Sequence, residues 1–94
     1  MNMPIIKSYV EPPQANAMKV AVAHVTVWFS YTTPVAFQVL GKPVVVQENT
    51  FGTNGRPSAT TAKHLNAIDR GNKDSRLNAV DFHATWTKQT EGIA

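Results

Sequence analysis

The chain contains no cysteine, few charged residues and no long apolar run. The absence of thiols excludes a disulfide framework, a thiolate metal site and a cysteine nucleophile, and it makes a reducing cytosol the natural compartment. The longest apolar-leaning stretch, residues 20–31, contains His24, Thr26 and Ser30, and it falls short of the roughly 20 apolar residues that span a bilayer. Residues 1–17 also lack the apolar segment of a secretory signal. We therefore expect a cytosolic protein with no membrane partner.

The composition supports one small hydrophobic core and a modest basic region. The chain has 94 residues, of which 43% are hydrophobic. Its net charge of +3 arises in residues 51–76, where five basic residues stand against Asp69 and Asp74. A surplus of this size fits a phosphate or an acidic protein partner, and it also fits a solvated basic loop. The five basic residues are Arg56, Lys63, Arg70, Lys73 and Arg76.

Proline positions divide the chain into an arm and a domain. Pro4, Pro12 and Pro13 deny residues 1–17 a helix or a central strand, which leaves an extended arm that is disordered, docked on the domain or paired as an edge strand. Residues 18–94 form the predicted domain. Within it, residues 19–31 alternate in hydrophobicity, which predicts one long strand with a buried face.

Turn residues divide the next segment into two further strands. We expect a turn at residues 32–34 and a second strand at residues 35–40. Gly41 and Lys42 fit a two-residue hairpin connection, and residues 43–47 fit a third strand. The predicted sheet is therefore a three-stranded antiparallel meander.

Two short helices are expected to follow and to pack on the sheet. The first begins near Thr60, which would act as a hydroxyl cap, and it ends before Gly71 in a left-handed C-terminal position. The second has Asn78 as its cap and Asp81 as its capping-box carboxylate. The predicted fold class is therefore α+β. The hydrophobic staple residues of the second helix are Leu77 and Phe82.

Catalytic and metal-binding patterns are missing from the sequence. Ser30, His64 and Asp69 include the residue types of a hydrolase, but no nucleophile-elbow glycine pattern surrounds any serine. The histidines show no metal-ligand spacing, and the glycine-containing loop at residues 51–56 lacks the spacing of a phosphate-binding loop. We predict no enzyme activity, no metal and no cofactor.

Two candidate binding sites remain. Hydroxyls and free amides at the start of the first helix, followed by Lys63, would suit a phosphate or carboxylate, although a capped helix with an exposed lysine explains the same residues. Aromatic residues on the sheet would suit base stacking or a protein partner, although burial under a helix is the favoured explanation for Trp28. The candidate anion or nucleic-acid residues are Arg56, Thr60, Thr61, Lys63, His64, Arg70, Lys73 and Arg76. The candidate protein-binding residues are Trp28, Tyr31 and Phe51.

Two stretches of the chain resemble a known family. Residues 27–37 read VWFSYTTPVAF and residues 60–69 read TTAKHLNAID, with Glu48 and Asn49 between them. These stretches are similar to small uncharacterised proteins encoded by tailed phages, and the resemblance covers residues 19–86. That family usually has a shorter turn before the first helix, and it commonly has glycine where Ala62 stands here. Both departures weaken the candidate anion site.

The resemblance implies a small accessory protein in the host cytoplasm that binds, and frequently inhibits, host or defence machinery. It implies no activity. We therefore expect a non-enzymatic protein that binds a host or defence protein through its sheet edge, its aromatic residues and its basic segment. Nucleic-acid binding through residues 56–76 is the alternative. A homodimer formed through the edge strand is a third alternative.

Overall fold

The described part of the chain forms one antiparallel sheet and two helices. A computed structural model describes residues 4–48 and 59–91. Five strands lie side by side in the order in which they occur in the sequence. The predicted α+β class and the antiparallel sheet with two helices are confirmed, but the predicted number of three strands is wrong. The strands are β1 (Ile5–Ser8), β2 (Ala17–Val22), β3 (Val25–Ser30), β4 (Thr33–Val39) and β5 (Val45–Val46); the helices are α1 (Ala59–Asp69) and α2 (Ala79–Thr90), with a 3₁₀ turn at Lys73–Ser75.

The predicted long strand at residues 19–31 is in fact a hairpin. β2 and β3 pair along their whole length, and the chain reverses at Ala23 and His24, where Ala23 has a φ of 53°. Glycine or asparagine usually occupies such a position, because a Cβ atom is strained at positive φ. Neither alanine nor histidine is a turn marker. The alternation therefore continued through the turn and predicted one strand instead of two.

The remaining additional strand comes from the predicted arm. Ile5 lies opposite Ala21 and Ser8 lies opposite Met18, so β1 pairs with β2 at the edge of the sheet. The backbone N–H of Tyr9 extends this ladder by donating to the carbonyl oxygen of Ala17 at 3.0 Å. Of the alternatives for the arm, the edge strand is the one that Ile5–Ser8 adopts.

The other two connections differ from the prediction in detail. Tyr31 has a φ of 57°, so the turn after β3 lies earlier than the expected residues 32–34, and Pro34 lies inside β4. Gly41 has a φ of 85°, which is the conformation that glycine favours in turns. The predicted third strand at residues 43–47 is reduced to β5. Pro43 has no N–H to donate at its beginning, and Gln47 at its end forms a parallel bridge with Leu77.

The helix boundaries follow the predicted caps with one correction. α1 begins at Ala59, so Thr60 lies in the first turn rather than at the cap. Gly71 follows α1 with a φ of 82°, as expected for a left-handed C-terminal residue. The side chain of Asn78 accepts a hydrogen bond from the N–H of Asp81 at 2.8 Å, which confirms the N-cap of α2. In the described ranges, neither helix has the length and the apolar content needed to cross a bilayer.

The helices lie on opposite faces of the sheet. Leu65 of α1 packs with Val46, Ala36 and the half-buried Trp28. On the other face, Phe82 and Trp86 of α2 pack against Phe37, with ring centroids 5.3 and 5.0 Å from the Phe37 ring. Each helix covers strands at the β5 end of the sheet. The β1 end remains exposed, since Ile5 and Ile6 are 63% and 60% accessible.

Candidate functional site

A line of apolar side chains crosses the whole sheet on the α2 face. Directly paired residues in an antiparallel sheet share a face, so the pairing register defines the line. α2 buries its β4 end, whereas its β1 end, Ile6, is 60% exposed. A hydrophobic surface therefore runs from the core to the edge of the molecule. The line consists of Ile6, Val20, Val27, Phe37 and Val45.

We call the part of this face that lies on β1 and β2 the apolar strip. Val22 is 43% exposed, and Met18 and Val20 are half-buried. No residue of the strip belongs to the cluster that α2 buries. The strip consists of Ile6, Met18, Val20 and Val22.

An apolar groove adjoins the strip. It lies between α2 and the sheet, has a volume of about 370 Å³ and includes Phe29, Pro34 and Trp86 in its lining. Phe29 stands directly opposite Met18 of the strip in the β2–β3 register. The strip and the groove together form one apolar surface that ends in an aromatic-lined recess, which is the kind of surface that protein partners use.

Within residues 4–48 and 59–91, no strand pairs with the outer edge of β1, which is the end strand of the sheet. The bond from Tyr9 N–H to Ala17 shows that residue 9 faces β2. Because backbone groups of an antiparallel strand point alternately to either side, Ile5 and Lys7 also face β2, whereas Ile6 and Ser8 face outward. An added strand would therefore bond with Ile6 and Ser8.

A buried polar cluster joins the other face of the sheet to α1. Ser30 Oγ lies 2.7 Å from His64 Nδ1 and 3.0 Å from Thr61 Oγ1, and all three residues are at most 6% exposed. Burial lowers the pKa of His64, which keeps the imidazole neutral near pH 7. The hydroxyl of Tyr9 donates to the carbonyl of Phe29 at 2.8 Å, and burial raises the pKa of Tyr9 to about 12.

This cluster does not have the arrangement of a hydrolase. Asp69, the carboxylate that a hydrolase triad would need beside Ser30 and His64, is hydrogen-bonded to Arg76 rather than to His64. Ser30 is 2% exposed, so a substrate could not reach its hydroxyl without displacing α1. In the part of the chain that the structure describes, no group of three His, Cys, Asp or Glu residues could hold a metal ion.

The described residues among the predicted anion candidates differ in their accessibility. Thr61 and His64 are buried, whereas Lys63, Arg70 and Lys73 are exposed and Thr60 is half-buried. Arg56 and Phe51 lie outside the described residues.

Arg76 forms a buried ion pair instead of a free cation. Its Nε and Nη2 atoms donate to Asp69 at 2.6 and 2.9 Å, and Nη2 also donates to Asn66 at 3.0 Å. Burial alone would raise the pKa of Asp69, but the hydrogen bond and charge of Arg76, together with backbone hydrogen bonds from Gly71 and from Asp69 itself, hold that pKa below its usual value. The charge of Arg76 is thus satisfied within the protein.

The predicted aromatic residues differ in their accessibility. Trp28 packs against the core under α1, and Lys19 Nζ lies 5.8 Å from its ring centroid on the same face. It is therefore not a free stacking platform. Tyr31 is 55% exposed beside the His64 ring, with the ring centroids 6.1 Å apart.

The sequence pattern alone predicts neither the apolar strip nor the burial of His64 against Ser30. The sequence leaves Ile5 and Ile6 in an arm that could pair as an edge strand, but without the pairing register it does not predict which face of the sheet each side chain takes. A signal for the buried polar cluster was present, because Thr61, His64, Leu65 and Ile68 follow the spacing of a helix face that packs on a core.

Comparison with known proteins identifies a family and no characterised relative. The model of a family described as "Family of unknown function (DUF8033)" matches residues 10–84. No curated protein and no solved structure matches the chain. The match includes β2 to β5, α1 and the buried polar cluster, whereas β1 lies outside it.

Proposed function

The chain belongs to the DUF8033 family of unknown function, and we propose that it is a non-enzymatic accessory protein that binds another protein through the apolar strip and groove. In this proposal the partner is a host or defence protein in the cytoplasm of a phage-infected bacterium, and binding inhibits it. This biological context rests on the resemblance to small tailed-phage proteins. The mode of binding rests on the geometry of the sheet.

The observation that carries the proposal is the apolar line that ends at Ile6. Phe37 at its centre is completely buried, whereas Ile6 on the same line is 60% exposed. Removing a large aliphatic side chain from water stabilises a complex by roughly 1.5–3 kcal/mol. A partner that covers Ile6 and the adjoining strip would complete the hydrophobic layer that α2 begins.

The β1 edge supplies directional contacts next to this surface. A partner strand placed beside β1 would bond with the outward backbone groups of Ile6 and Ser8. Its alternate side chains would then lie beside Ile6 on the α2 face. Backbone pairing gives affinity in this mode of binding, and the strip gives preference for an apolar partner segment.

A matched pair of substitutions tests the proposal. Ile5 and Ile6 are adjacent and almost equally exposed, but their side chains point to opposite faces. Tagged wild-type protein, Ile6→Lys and Ile5→Lys should be compared in pull-downs from infected host cells, followed by binding measurements with the purified partner. We expect Ile6→Lys to abolish capture of a partner that Ile5→Lys still captures. Equal capture by both variants, or no specific partner at all, would contradict the proposal.

Nucleic-acid binding is the second candidate, because Lys63, Arg70 and Lys73 are exposed. Its support is weaker, since Arg76 is already paired with Asp69. The purified protein should be titrated with single-stranded and duplex nucleic acid at about 50 mM salt, where phosphate contacts are strong. Failure to bind there would eliminate this candidate. Sedimentation of the same sample would show whether the chain forms the dimer that the β1 edge could support.

A further inference from the structure

A polar cleft lies on the face of the sheet opposite the apolar strip. It has a volume of about 580 Å³ and is formed between α1 and the segment that joins β1 to β2. Tyr9, Glu11 and Asn16 line one side, and Lys63 and His64 line the other. Its volume is within the roughly 300–1,000 Å³ of small-molecule sites. The cleft is separate from the proposed protein-binding surface.

Two buried polar atoms of residues that line this cleft have no hydrogen-bond partner among the described residues: His64 Nε2 and Asn16 Oδ1. His64 is 2% exposed, and its other ring nitrogen is already bonded to Ser30. Buried polar groups in native proteins are almost always hydrogen-bonded, because leaving them unpaired is costly. A polar molecule that reaches both atoms from the cleft would satisfy them.

The surrounding groups indicate the chemistry of that molecule. Asn16 Oδ1 accepts a hydrogen bond, so it needs a donor such as a hydroxyl group. His64 Nε2 can accept or donate, depending on the tautomer of the neutral ring. Lys63 is an exposed cation at the cleft and, like many lysines, can pair with a phosphate group. Glu11 is an exposed carboxylate on the opposite side and would oppose an anion.

We propose that this cleft binds a small phosphorylated molecule that carries hydroxyl groups, as sugar phosphates and nucleotides do. In this proposal Lys63 pairs with the phosphate group, a hydroxyl group donates to Asn16 Oδ1, and another polar group of the ligand bonds to His64 Nε2. The cleft is several times larger than a free phosphate ion requires, so the organic part of the ligand contributes contacts of its own.

The proposal can be tested by titrating the full chain with glucose phosphate, adenosine monophosphate, inorganic phosphate and adenosine. Calorimetry gives the affinity, and the His64 ring signals in NMR spectra report on the cleft. We expect saturable binding of at least one phosphate ester, with a shift of the His64 signals, and much weaker binding of inorganic phosphate and of adenosine. No saturable binding of either ester, or equal affinity for inorganic phosphate, would overturn the proposal.

Exposed substitutions locate the binding without disturbing the fold. Lys63→Ala should weaken binding of the ester about tenfold, because it removes a charge-assisted hydrogen bond. Glu11→Gln should strengthen binding, because it removes a repelling carboxylate. Lys73→Ala is the matched control, since Lys73 is exposed and does not line the cleft, and it should leave the affinity unchanged. Equal effects of Lys63→Ala and Lys73→Ala would overturn the assignment to this cleft.

Discussion

Ser30 Oγ lies 2.7 Å from His64 Nδ1, although 34 positions separate the two residues in the chain. The contact joins the end of β3 to the middle of α1. It holds the helix on the sheet, and it also fixes one ring nitrogen of His64 so that the other remains for the polar cleft. Structural and binding roles are therefore combined in one side chain.

The Ser30 hydroxyl should contribute measurably to stability. Ser30→Ala leaves His64 Nδ1 buried without this partner, and we expect the free energy of unfolding to fall by about 1–3 kcal/mol. Urea unfolding measures the change. Ser75→Ala is a suitable control, because Ser75 is exposed and its hydroxyl donates to the nearby carbonyl of Asn72, and it should change stability by less than about 0.5 kcal/mol. Equal losses in the two variants would show that the Ser30 contact is not stabilising.

The buried imidazole should make the protein less stable in mild acid. The pKa of folded His64 lies below its ordinary value of 6.5, because burial disfavours the charged ring. The unfolded chain therefore takes up a proton at this residue first as the pH falls below about 6.5, and stability decreases. Tyr9, with a pKa of about 12, stays neutral throughout this range. Above about 6.5 the contribution of His64 is fully present.

Urea unfolding at about pH 7 and about pH 5 measures this effect across the range in which histidine titrates. His64→Gln should reduce the difference in stability between the two conditions. His83→Gln should leave the difference unchanged, because His83 is exposed. If the two variants show the same dependence on pH as the wild type, His64 is not the group responsible.

Local sequence signals predicted those elements that carry their own markers. The N-cap of α2 was found because Asn78 and Asp81 are three residues apart, and the end of α1 was found because Gly71 suits positive φ. The hairpin turns were missed or misplaced because Ala23 and Tyr31 adopt positive φ without being glycine. These turns are stabilised by the pairing of the strands on either side, and the hydrophobic pattern of one segment does not show which segments pair.

The turn at Ala23 should therefore be improved by glycine. Ala23 has a φ of 53°, where a Cβ atom is strained, so Ala23→Gly should raise the free energy of unfolding by about 0.5–1 kcal/mol despite the greater flexibility of the unfolded chain. Ala21→Gly is the control within β2 and should lower it by a similar amount. Thermal unfolding of both variants measures the difference. A loss of stability in Ala23→Gly would argue against strain at this turn.

The candidate site was less predictable than the fold, because it depends on which residues meet across the sheet. Arg76 and Lys63 contribute equally to the net charge of the segment, but in the structure Arg76 is paired with Asp69 and Lys63 is exposed. Similarly, Thr61 and His64 were chosen for their chemistry, but their helical spacing with Leu65 places them on the buried side of α1. Neither burial nor pairing can be obtained from residue type alone.

The ion pair between Arg76 and Asp69 should be important for stability. Their side chains are 6% and 7% exposed, so Arg76→Gln leaves a buried carboxylate without its partner and should cost about 3 kcal/mol. Arg76→Lys should recover only part of this loss, because an ammonium group cannot make the two parallel bonds of a guanidinium. The exposed Arg70→Gln is the control. The stability of the three variants should be measured by urea unfolding. The prediction would be contradicted if Arg76→Gln were as stable as Arg70→Gln.

A proline at Ile6 would separate the two contributions to partner binding. Ile6→Pro removes an outward N–H but retains an apolar side chain, whereas Ile6→Lys retains the N–H and removes the apolar contact. If a partner strand pairs with β1, we expect Ile6→Pro to weaken binding about tenfold, since one intermolecular hydrogen bond is lost. Its stability should change little, because the bonds that Ile5 and Lys7 make to β2 remain.

Lys7→Pro is the matched control for this substitution. Lys7 directs its N–H toward β2, so Lys7→Pro breaks a bond within the sheet and should lower the melting temperature more than Ile6→Pro does. Binding of purified partner and thermal unfolding should be measured for both variants. If Ile6→Pro bound the partner as tightly as the wild type while Ile6→Lys did not, the apolar strip alone would mediate binding, and strand addition at β1 would have to be abandoned.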